Sequence, residues 1–205
     1  MKIAFVGTHG VGKTTLCYEL AALLKKQGVD VELVKEVARS CPLPINRETS
    51  LLAQLWILHT QIAREIELSA GGAVVVCDRS VLDNYAYLEH SAGRQPEAER
   101  TVDGWLGTYA LLLRVPPGGT PPADGVRDTD REFQIAIDTT ISRLLSEKRV
   151  PHIDLSGLPR NRWIGAALAA VAAVRRGDSP ASSKDPKGEQ LSLFPPKDTT
   201  SITMT

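Results

Sequence analysis

Cysteine is scarce in this 205-residue chain: Cys17, Cys41 and Cys77 are odd in number, widely spaced and form no C-x-x-C pair. That spacing argues against a disulfide framework and against a zinc cage, and points to a reducing, cytoplasmic setting. Excess charge is missing too, because 24 Lys plus Arg balance 24 Asp plus Glu. Such a chain does not coat polyanions as a whole, so any nucleic-acid contact must be local. No apolar run approaches the roughly 18 residues of a membrane span; the best candidate, Trp163 to Val174, is alanine-rich and closed by Arg175 and Arg176. The apolar run at Ile3 to Val6 is too short for a signal-peptide core and ends at Gly7. There is no internal repeat. What remains, 42% hydrophobic and 23% charged residues, is the composition of a soluble globular domain and excludes wholesale disorder.

Apolar runs of strand length alternate with helix-length patterns. Ile3 to Val6, Val29 to Val34, Ala73 to Cys77, Leu111 to Val115 and Val150 to Leu155 read as strands. Lys13 to Gln27, Leu51 to Leu68 and Arg160 to Arg176 read as helices, and the segment after Cys77 is mixed. This alternation predicts an α/β fold with a parallel sheet covered on both faces. Val115 to Thr129 holds four prolines and three glycines and reads as a loop or lid. Composition shifts near Gly177, so residues 1–176 are expected to form one domain. Residues 177–205, rich in Ser, Thr, Pro, Lys and Asp, are expected to form a flexible tail.

Gly7-Thr8-His9-Gly10-Val11-Gly12-Lys13-Thr14 matches G-x-x-x-x-G-K-[ST] between a strand and a helix, the context that a phosphate-binding loop requires. Its glycines let backbone N–H groups turn toward phosphate oxygens, and the helix start contributes its positive dipole end. Lys13 is expected to reach the β and γ phosphates of ATP, Thr14 to ligate Mg²⁺, and Thr15 to complete the cradle. His9 occupies a spacer position that asks for no particular side chain.

Two more strand ends carry charge. Asp78-Arg79-Ser80 follows the third strand, with Asp83, Asn84, Tyr85 and Tyr87 behind it, and Glu36-Val37-Ala38-Arg39 follows the second. Carboxyl strand ends line the crevice of an open α/β sheet. There Asp78 suits Mg²⁺ and Arg79 a phosphoryl group, while Glu36 is a candidate proton acceptor for an attacking hydroxyl. After the proline-rich stretch, Arg127 and Arg131 lie four apart at a helix entry. Residues 143 to 176 hold seven Arg or Lys against two acids, a local excess suited to phosphates or simply to solvent.

These residues resemble the thymidylate-kinase-like group of P-loop kinases, which includes deoxynucleoside kinases and ribosylnicotinamide-type kinases. The resemblance spans roughly residues 1 to 160 and implies a P-loop three-layer α/β sandwich with a mostly parallel sheet and a lid. It implies that Asp78 attends the metal, Arg79 the phosphates, and the Glu36 to Arg39 segment the catalytic carboxylate and acceptor. Gln54 and Gln61 resemble positions that grip a pyrimidine, with Asn84 nearby, and Arg127 and Arg131 resemble lid arginines that close over ATP. The proton acceptor stays open between Glu36 and Asp78. In the tail, Gln190-Leu191-Ser192-Leu193-Phe194 resembles the bacterial sliding-clamp-binding motif. A clamp tether would suit a kinase acting on DNA, and the chain resembles bacteriophage kinases of 5-hydroxymethyluracil in DNA, working in the host cytoplasm. Free deoxynucleosides, deoxynucleotides or ribosylnicotinamide are alternative acceptors. A regulatory NTPase is the alternative activity, disfavoured because the third strand ends Cys77-Asp78-Arg79 rather than in two acids.

Overall fold

A computed structural model describes residues 1–45, 48–118 and 131–178. Its five strands are β1 (Lys2–Val6), β2 (Val31–Val34), β3 (Val74–Asp78), β4 (Leu111–Arg114) and β5 (Ile153–Asp154). All pair in parallel, in the order β2-β3-β1-β4-β5. The helices are α1 (Lys13–Lys26), α2 (Leu51–Ser69), α3 (Val81–Ala92), α4 (Pro96–Leu106), α5 (Arg131–Glu147) and α6 (Trp163–Arg176).

Strand side chains alternate between faces, and here both faces are covered. Ile3, Phe5, Val74, Val76, Leu111 and Leu113 enter the core beneath α1 and α6. Their neighbours Ala4, Val6, Val75, Cys77 and Leu112 enter the core formed with α2, α3, α4 and α5. The expected three-layer α/β sandwich is therefore present. The mixed segment after Cys77 becomes α3 and α4, separated by Gly93 at φ +73° and by Pro96 in the first turn of α4. β2 and β5 are shorter than their apolar runs. Arg160–Arg162 forms a 3₁₀ turn before α6 rather than its first turn.

Because chain order reverses across β1, its carboxyl end faces the crevice together with that of β3. Phe5 is in register with Asp78, which brings the glycine loop beside the Asp78-Arg79-Ser80 corner.

Candidate active site

The loop after β1 takes its shape from close approach and from left-handed backbone. A Cβ at Gly7 would stand 2.6 Å from the Val115 carbonyl oxygen, and one at Gly12 would run into the Arg160 guanidinium. Gly12 has φ +91° and starts α1 with no side-chain cap, whereas α2 and α3 are capped by Ser50 and Ser80. The first-turn amides of α1 are thus left to an anion. The Lys13 ammonium folds back onto the Gly7 and Thr8 carbonyl oxygens at 2.8 and 2.5 Å. Burial, then the charge of Arg79, lowers its pKa to about 8, against the opposing pull of Asp83, Asp78 and Glu36.

Thr14 Oγ1 donates to Asp78 Oδ2 at 2.5 Å. This pair of oxygens suits Mg²⁺, a hard cation that takes few protein ligands and completes its shell with phosphates and water. Among the described residues no cluster of three or more His, Cys, Asp or Glu gathers as a metal cage.

Arg79 is buried and has φ +99°, a left-handed conformation that strains a non-glycine residue by about 1–3 kcal/mol. Its Nε and Nη2 donate to Glu36 Oε1 at 3.1 and 2.8 Å, and its guanidinium lies 4.7 Å from the Tyr87 ring centroid. Burial works against its charge, but Tyr87, Glu36 and Asp83 keep the guanidinium well above its ordinary pKa. Arg39 Nε donates to the other Glu36 oxygen at 2.9 Å. Asp78, Arg79, Glu36 and Arg39 are thus brought together. The carboxylate expected to accept a proton is held between two guanidinium groups.

Other expectations change. His9 is more than a spacer: it is buried, its N–H donates to the Tyr87 hydroxyl at 3.0 Å, and its Nδ1 lies 3.0 Å from the same oxygen. Gln54 is buried and donates to Thr49 Oγ1 at 2.9 Å. Gln61 is fully buried, donating to Glu65 Oε1 at 2.8 Å and to the Arg79 carbonyl at 3.2 Å. Its amide is turned to these partners inside the core. Asn84 is buried with its Nδ2 unpartnered. Thr15 is exposed and Arg131 is exposed at the start of α5. Arg127, most of the proline-rich stretch, and Gln190, Leu191, Leu193 and Phe194 lie outside the described residues.

Part of the basic excess of residues 143–176 is taken up by carboxylates. Arg143 pairs with Glu89 and Glu147, Lys148 with Glu99 and Asp103, and Arg176 with Asp178.

Several site residues had no assigned role. Asp83 Oδ1 accepts from Gly7 N at 2.7 Å, and Oδ2 from Ser80 N and Oγ at 2.8 and 2.7 Å. The Ser80-x-x-Asp83 spacing was the legible signal, a capping box with Asp as its acid. Gln134 Nε2 donates to the His9 carbonyl at 3.0 Å from α5, and Arg160 Nη1 to the Val11 carbonyl at 3.3 Å. These contacts join residues more than 100 apart, so no local pattern announces them.

A family described as AAA domain matches residues 2–162. A probable thymidylate kinase of Thermoplasma volcanium is 28% identical over 118 residues, 57% of this chain. The chain spans 62% of that relative's length. A thymidylate kinase of Rhizorhabdus wittichii is 27% identical, covering 77% of this chain and 90% of its own. The crystal structure of thymidylate kinase from Ehrlichia chaffeensis superposes with a TM-score of 0.57 at 20% identity, covering 77% of this chain and 93% of its own. At that identity the likeness concerns the fold.

Proposed function

Since this chain belongs to the AAA domain family across residues 2–162, we propose that it is an ATP-dependent P-loop kinase acting on a hydroxyl of a nucleotide-type acceptor. The observation that carries this reading is the meeting of Lys13, the Thr14–Asp78 pair and the Arg79–Glu36 pair at the carboxyl ends of β1 and β3. This crevice presents a clamped carboxylate and an arginine beside the phosphate loop, parts suited to orienting a second substrate for transfer. The naming of the similar proteins as thymidylate kinases supports the same activity.

In the proposed reaction the loop amides and Lys13 bind the ATP phosphates, and Arg79 offsets charge on the moving phosphoryl group. Glu36, held by Arg79 and Arg39, orients the acceptor hydroxyl, and its proton passes to Glu36 or Asp78. Mg²⁺ at Thr14 and Asp78 would supply further neutralisation of the phosphate oxygens.

The favoured acceptor is 5-hydroxymethyluracil within DNA, and Gln190-Leu191-Ser192-Leu193-Phe194 favours it. A clamp tether raises the local concentration of a DNA acceptor and does nothing for a free nucleotide. The relatives' names favour free thymidylate as the alternative. Incubation with γ-labelled ATP and thymidylate, deoxynucleosides, ribosylnicotinamide, ordinary DNA and hydroxymethyluracil DNA decides. Label on the last is expected, at least as strongly in single strands as in duplex because the base must be splayed toward the site. Label on thymidylate alone makes the free nucleotide correct.

A further inference from the structure

The Arg79–Ser80 peptide is gripped at both ends. Its carbonyl accepts from Gln61 Nε2 at 3.2 Å, and its N–H donates to Asp83 Oδ2 at 2.8 Å. This is the peptide that follows the left-handed Arg79, at φ +99°, and such a conformation persists in a non-glycine residue only where its surroundings over-determine it. The Asp83 grip belongs to the cap of α3. The Gln61 grip comes from α2, and that helix gives it a support of its own.

Gln61 Nε2 also donates to Glu65 Oε1 at 2.8 Å, one turn along α2. Glu65 is fully buried, and its carboxylate takes three further donors: Tyr109 Oη at 2.6 Å, Trp105 Nε1 at 2.7 Å and Lys2 Nζ at 2.7 Å. Lys2 in turn lies over the Trp105 and Tyr109 rings, at 4.2 and 4.6 Å from their centroids. An ionised carboxylate only accepts hydrogen bonds, so Glu65 dictates which way the Gln61 amide faces. Turned over, the amide would set its oxygen against the Glu65 carboxylate and the Arg79 carbonyl, three acceptors together. As it stands, both amide hydrogens are engaged and the buried Oε1 is left without a partner. An unsatisfied buried acceptor is unfavourable, and it is tolerated because the reverse orientation is worse.

We propose that Glu65 and Gln61 are positioning residues that hold the Arg79–Ser80 peptide and so aim the Arg79 guanidinium at the phosphoryl group. The strut runs from Lys2 at the foot of β1 through Glu65 and Gln61 to the carboxyl end of β3, entirely inside the core. Its output is the place of one side chain: the guanidinium stays on Glu36 and the Tyr87 ring, near enough to Lys13 for its charge to act on the ammonium. The catalytic consequence rests on the kinase reading above.

The test uses the full chain with Gln61→Met, which keeps length and burial and removes both donors, and Glu65→Gln, which keeps shape and removes the acceptor-only charge. With the acceptor that the labelled-ATP assay identifies, Gln61→Met is expected to lower kcat by about tenfold to a hundredfold, as for a misplaced reacting group, with KM for ATP within about twofold. In an Arg79→Ala background the same substitution is expected to change kcat by less than about twofold, since it acts through that arginine. Equal losses in both backgrounds overturn the proposal. A second arm needs no activity: exchange of the Arg79 Nε proton, read by ¹⁵N NMR, is expected to quicken at least about tenfold in both variants. Unchanged exchange in a folded Gln61→Met protein overturns the strut. A wild-type protein that transfers no phosphoryl group removes the kinase reading and leaves the exchange arm to decide the strut.

Discussion

Lys13 shows how one side chain can carry two states of the site. In the folded chain its pKa is about 8 against an ordinary 10.5, chiefly because it is buried. Between those two values the unfolded chain binds more protons than the folded one, so this lysine makes stability rise with pH through that window. Below pH 8 the cost of burying its charge is fully present. ATP phosphates reverse the balance by favouring the charged form. Titration calorimetry at pH 9, in buffers of different ionisation enthalpy, should therefore show uptake of close to one proton on ATP binding, and almost none at pH 7. Lys13→Ala should show none at either pH, and uptake that persists in that variant would assign the proton elsewhere. At the metal pair, Asp78→Asn is expected to lower kcat by roughly two orders of magnitude or more with little change in ATP affinity, because a metal-orienting charge matters most as the phosphoryl group moves. Glu36→Gln, tested beside it under saturating ATP, is expected to cost less, since a loose transition state asks little of a base. A larger loss in Glu36→Gln would make Glu36 the proton acceptor.

At the scale of elements, α3 ties the site together. Its capping carboxylate, Asp83, serves Ser80 inside the helix start and Gly7 in the phosphate loop at once. Asp83→Ala would leave two buried N–H groups without acceptors, a cost of roughly 2–6 kcal/mol at 1–3 each. For a chain of this size that is a fall in melting temperature of about 4–24 °C. Calorimetry that finds the midpoint within a degree of wild type would mean that water replaces Asp83 and that the loop is held elsewhere. The same helix shows where reading the chain in one dimension stops. β1, its glycine loop and α1 were legible because every determinant is local: an apolar strand, glycines at fixed offsets and an amphipathic repeat. α3 was not, since it is buried nearly all round, with Asp83, Asn84 and Tyr85 in succession among its buried residues, and so shows no apolar period that marks a helix. Gln61 looked like an amide available to a ligand. Only its pairing with the Arg79 carbonyl and with Glu65, which Lys2, Trp105 and Tyr109 hold from outside α2, makes it internal.

Across the whole molecule, the balance of charge acquires a spatial meaning. Of the arginines and lysines counted from residue 143 on, Arg143 and Lys148 face acids on α3, α4 and α5, so these two are spent inside the fold and do not add to a basic face for DNA. Removing residues 189–205, or changing Leu193 and Phe194 to Ala, is expected to abolish binding to a bacterial sliding clamp while phosphorylation of short free DNA is unchanged. An intact chain with no clamp binding at micromolar concentrations contradicts the tether. The central claim is that this crevice transfers phosphate to an acceptor and does not simply hydrolyse ATP. Its most direct test counts ADP formed against phosphorylated acceptor in one reaction with Mg²⁺-ATP. The account predicts one ADP per phosphorylated acceptor, with ADP release falling to a small residual rate when acceptor is omitted. Rapid ADP and free phosphate release that ignores the acceptor would contradict it.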